Sequence, residues 1–168
     1  MLHSLSSLLS TGLVLASIAI LLAAAMHDIA ARTVPNWMAA TLAILGLATQ
    51  IMHGRAITGL AAGLAVFLLA AFCWRRGWMG GGDVKLLGAA AIVVPPGDVA
   101  NFIAAVALTG AVLALAYLGA RRITAAPSAQ RPARLVARAC RVERWRIRRG
   151  GPLPYACAIA AGVLFIIL

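Results

Sequence analysis

Residues 17–28 read SIAILLAAAMHD and continue as IAARTVPN to Asn36. An apolar run is closed by a carboxylate, Asp28. A cation follows four residues on, Arg32, and then a Pro35-Asn36 turn that starts a second apolar run. No Lys or Arg precedes Arg32, so the basic opening of a signal peptide is missing and the run reads as an uncleaved first membrane helix. A carboxylate is costly at the mouth of such a helix. A second one, Asp83, follows Gly80-Gly81-Gly82 and opens the apolar run 84–94, VKLLGAAAIVV. The chain has only four acidic residues. Two of them at separate helix mouths suggest a pair that meets in space, and paired carboxylates are the minimal apparatus of acid–base hydrolysis.

Composition supports the membrane reading. Of 168 residues, 63% are hydrophobic and 11% charged, against roughly 25% charged in a soluble domain. So much apolar surface needs the bilayer as solvent. The chain is expected to be an all-α integral membrane protein, one domain over 1–168. Its bundle of about six transmembrane helices lies near 7–27, 37–53, 56–74, 84–95, 98–120 and 153–168. Pro35-Asn36, Gly54, Gly77, Pro95-Pro96-Gly97 and Gly150-Gly151-Pro152 punctuate them. The fourth has about a dozen residues, short of the roughly 20 that span a bilayer. Its glycine-rich approach is therefore expected to enter the membrane zone as non-helical backbone beside a polar, hydrated cavity.

Charge sets the orientation. Ten of the fifteen basic residues lie between Arg121 and Arg149, and alternate loops hold Arg32, then Arg75, Arg76 and Lys85. The opposite loops hold only Arg55. By the positive-inside rule the first side is cytoplasmic, both termini lie outside, and Asp28 and Asp83 share the cytoplasmic boundary. The basic cytoplasmic loop 121–150, set between apolar segments, is a solvated loop or a partner for anionic lipid headgroups, not for nucleic acid. Arg134, Arg138, Arg141 and Arg148 share one helical face there, so it is a surface helix or an irregular basic loop. Cys73, Cys140 and Cys157 form no CxxC pair, and His27 beside Asp28 makes no metal site. No cofactor or metal is expected.

Each motif has a plain reading beside the chemical one. Asp83 at a helix start accepts free N–H groups and is favoured there by the dipole, so it is an N-cap or a reactive carboxylate. A phosphate loop is excluded because GxxxxGK[ST] is absent. Gly80 and Gly82 leave room for a substrate strand, and Gly82 is expected to need its missing Cβ, and a positive φ, more than the turn residue Gly54. Asp28 with Arg32 is an interfacial ion pair or part of a site. Lys85 orients substrate or snorkels to the interface.

Together these residues resemble a family. D-x-x-x-R-x-x-[IV]-P-N after the first membrane helix and GxGD-x-K-L before the fourth look like the type IV prepilin peptidases, GxGD-type intramembrane aspartyl proteases. Six segments and Pro152-Leu-Pro-Tyr155 at the last helix extend the likeness over nearly the whole chain. The resemblance implies that Asp28 and Asp83 are the catalytic pair. Arg32, Pro35, Asn36, Gly80, Gly82 and Lys85 would bind substrate or shape the site. The substrates would be prepilins or pseudopilins with short basic leaders, cut at the cytoplasmic face of the bacterial inner membrane. Larger members carry paired CxxC motifs and methylate the new N-terminus. This chain has no CxxC and is more like the small peptidases of Flp or tight-adherence pilus systems.

The implied mechanism is aspartyl-dyad activation of water. Two close carboxylates share a proton, and helix-end placement points to Asp83 as the more acidic and Asp28 as the acid. A small transporter or channel is the alternative from another class, but it would place acids deeper in its helices. A non-enzymatic membrane scaffold is a further one.

Overall fold

The first apolar run forms a helix that does not stop at Asp28. In a computed structural model, which describes residues 2–123, 141–142, 144–148 and 153–167, α1 runs over Leu2–Ala31. It ends where Arg32 takes a left-handed conformation, φ 56°, and the Arg32 N–H closes the last turn on the Asp28 carbonyl at 2.8 Å. Pro35 is extended, φ −59° and ψ 140°, and leads directly into α2, Asn36–Met52. Gly54, with φ 67°, turns the chain into α3, Ala56–Arg75. Gly77, with φ 74°, and an extended Gly80 lead to α4, Gly81–Val93. A single 3₁₀ turn over Pro96–Asp98 joins α4 to α5, Val99–Ile123. Residues 144–148 are helical, and α6 covers Tyr155–Ile167.

All six expected segments are helical, with ends displaced by a few residues, and no strand occurs among the described residues. Leu5–Ala31, Ala56–Arg75 and Pro96–Ile123 are long and apolar enough to cross a bilayer; α2 and α6 are apolar but shorter. The chain is an all-α membrane protein. Most of the expected surface helix over 121–150 lies outside the described residues.

The 13-residue α4 is the core. Val84 and every residue from Leu86 to Val93 are buried, which is what a helix apolar on all sides requires. It lies between α2 and α3 and touches α6; α1 packs on α2 and α6, and α5 on α6. Contact is close because small residues face it. A Cβ on Gly46 of α2 would stand 2.9 Å from the Val93 backbone nitrogen, so only a glycine lets these backbones approach.

At about 1.5 Å per residue α4 is roughly 20 Å long, against about 30 Å of hydrocarbon. Its last carbonyls would then be stranded in an apolar zone. Gln50 of α2 answers this: its buried Nε2 donates to the carbonyls of Ile92, at 2.9 Å, and Val94, at 3.0 Å. The helix stops as Val94 turns extended ahead of Pro95, as the residue before a proline is inclined to do.

Candidate active site

One end of the bundle holds a cavity of about 440 Å³. Asp28, Arg32, Thr33, Val34 and Asn36 line it from the α1–α2 link. Gly80, Gly81, Gly82, Asp83 and Lys85 line it from the start of α4, and Leu153 from the entry to α6. Of the residues singled out in the sequence, only Pro35 is absent from the wall. It starts α2 instead, its carbonyl accepting the Met38 N–H at 3.1 Å.

Asp28 reaches the cavity from the last turn of α1. Its side chain is buried, 5% exposed, at the helix end where the dipole disfavours a carboxylate. Two contacts offset this. The Ala156 N–H, in the first turn of α6, donates to Asp28 Oδ2 at 3.3 Å, which is a free N–H of a helix start put to use. Arg146, in the helical stretch 144–148, donates to the carbonyls of Ile29, at 2.8 Å, and Ala30, at 3.3 Å. A cation thus caps the last carbonyls of α1.

Asp83 is the third residue of α4. It stands ahead of the apolar run 84–94, outside the three long spans. The free N–H groups of a helix start lower a carboxyl's pKa. Here that effect is outweighed: Asp83 is raised from 3.8 to about 6, first by burial and then by the charge of Asp28, with only the Gly80 backbone N–H pulling the other way. Burial and the neighbouring carboxylate thus outweigh the helix start at Asp83. The two carboxyls feel each other across the cavity.

The glycines act differently from the sequence reading. Gly81 and Gly82 are not non-helical backbone but the first turn of α4, and none of the three has positive φ; among glycines that belongs to Gly54 and Gly77. A Cβ on Gly82 would make ordinary contact with Val34 at 3.4 Å. On Gly80 it would stand 3.0 Å from Asp83 Oδ2. Gly80 is the glycine that leaves room for the carboxylate.

The other polar groups tie the elements together. Lys85 Nζ donates to Asn36 Oδ1 at 2.8 Å, joining the starts of α4 and α2. The His27 Nδ1–H donates to the Thr33 carbonyl at 2.7 Å and braces the α1–α2 bend. Arg32 Nη2 donates to the Tyr117 hydroxyl of α5 at 3.2 Å, with the guanidinium carbon 5.9 Å from the ring centroid. Sequence reasoning missed Tyr117 and Ala156. A tyrosine near the end of an apolar helix reads as an interfacial belt residue, and a backbone N–H leaves no mark in a sequence. Two carboxyls carried by different helices thus line one cavity together with a guanidinium and an ammonium.

The model of the type IV leader peptidase family matches residues 15–115, a stretch that contains both aspartates. No curated protein and no solved structure matches.

Proposed function

We propose, for a chain that belongs to the type IV leader peptidase family, that it removes the leader of prepilins or pseudopilins by aspartyl-dyad hydrolysis at the cytoplasmic face of the bacterial inner membrane. The observation that carries this reading is the shared cavity: Asp28 and Asp83, on different helices, line one space, and the charge of Asp28 helps to raise the Asp83 carboxyl. One ionised carboxylate takes a proton from water while the protonated partner donates to the scissile carbonyl. The hydroxide oxygen bonds to the carbonyl carbon. Collapse then breaks the C–N bond, with the proton passing to the leaving amine and the pair restored to its single shared proton. Arg32, Asn36, Gly80, Gly82 and Lys85 shape the cavity, and Pro35 fixes the bend that brings Arg32 and Asn36 to it.

The 14-to-1 split of Lys and Arg between alternate loops supports a cytoplasmic site. Absence of a CxxC pair supports a peptidase of the small Flp or tight-adherence type. Arg121 and Arg122, exposed on the last turn of α5, suit anionic lipid headgroups.

The test is cleavage of a co-expressed prepilin. Asp28→Asn and Asp83→Asn should each abolish it with the protein still in the membrane. The double variant should be no worse than either single one, because the pair acts as a unit. Near-normal cleavage by either single variant would remove the dyad.

A further inference from the structure

Arg32 occupies a position that suits it badly. It is the one non-glycine residue with positive φ among the described residues. It stands where a helix closes in the left-handed conformation, a place usually held by glycine or asparagine. An L residue with a Cβ is strained there. Strain of this kind persists where the side chain is needed and its surroundings hold it. The surroundings here are specific: the hydroxyl and ring of Tyr117, one helix away on α5, hold the guanidinium, while Arg32 lines the same cavity as Asp28 and Asp83. Atoms Nε and Nη1 are themselves buried.

A guanidinium in this place has an evident use. It presents several N–H donors in a rigid fork. Hydrolysis of an amide builds negative charge on the carbonyl oxygen, and a fixed donor in a site shielded from water stabilises that charge far more than it would in water. Arginine is long and flexible, so the donor is effective only if something holds it. We propose that Tyr117 is a positioning residue of the site, holding Arg32 so that its guanidinium stabilises the negative charge that develops on the carbonyl oxygen before the protonated aspartate completes its proton transfer. The inference rests on the dyad reading above and adds a third charged partner to it.

The two residues make a cycle that can be measured with purified protein and a synthetic prepilin in detergent. Tyr117→Phe keeps the ring and loses the hydroxyl; it should lower kcat about tenfold with KM little changed, as a misplaced donor does. Arg32→Gly relieves the backbone strain and removes the donor. It should unfold no earlier than the native protein on heating, yet lose about 100-fold in kcat. In the Arg32→Gly background, Tyr117→Phe should have no further effect, because there is nothing left to hold. Arg32→Lys keeps the charge and the strain but not the fork, and should fall between. Full cleavage by Arg32→Gly and Tyr117→Phe, with Asp83→Asn inactive, would overturn the positioning role and leave the dyad standing. Additive losses in the cycle would overturn it too, since Tyr117 would then act without Arg32. Cleavage by Asp28→Asn or Asp83→Asn would instead bring down the dyad, and this role with it.

Discussion

Asp83 sits in a site that works against its ionisation. Its carboxyl titrates near 6 in the folded protein against 3.8 for the free group, so between those values the folded state binds more protons than the unfolded. The contribution to stability is then full below about pH 3.8 and declines as pH rises through about 6. Asp83→Asn should flatten this dependence in thermal unfolding in detergent and raise the midpoint at neutral pH. Asp28→Asn should lower the Asp83 pKa by removing the neighbouring charge, seen as loss of the protonated carboxyl band at lower pH. At the glycines, Gly80→Ala should cost cleavage several-fold more than Gly82→Ala at equal membrane abundance, because only the first pushes on Asp83 Oδ2. The residues of this wall were legible in the sequence because polar groups at the mouths of apolar runs stand out. Their mutual arrangement was not. The triple glycine looked like a flexible approach, yet two of its members are helical and one is a recess.

At the level of elements, α4 can end short of the bilayer's thickness because its far end is served by α2. The amide of Gln50 holds two carbonyls of its far end. Gln50→Leu should lower stability by about 2 kcal/mol, the scale of leaving buried polar groups unmatched, read as a fall in unfolding midpoint with the cavity at the other end intact. Gly54→Ala should cost about 1 kcal/mol through its φ of 67° alone, since the space around it is open. The brevity of α4 was visible in the spacing of Asp83 and Pro95. The cap was not, because one glutamine in the run LATQIMH says nothing about which distant carbonyls it meets. The overrun of α1 past Asp28 was hidden for a similar reason. A carboxylate near a helix C-terminus argues for stopping, and the groups that let it continue, Arg146 and the Ala156 N–H, come from the other end of the chain.

For the whole molecule, the distribution of Lys and Arg makes a topological demand. Cysteine labelling should find loop 121–150 in the cytoplasm and Leu168 outside; the reverse result would take the site to the wrong face. A further consequence follows from how differently the two acidic residues are carried. Asp83 rides on a helix wrapped by protein, so its depth is set by α2 and α3 and not by the lipid around them. Asp28 rides on the long α1, whose surface is mostly open to the bilayer. Hydrophobic mismatch acts on the second and spares the first: a thicker bilayer draws a spanning helix upright and a thinner one tilts it. Acyl-chain length then becomes a control on the alignment of the two carboxyls. In vesicles of graded chain length, cleavage should pass through an optimum and fall on either side while the protein stays folded.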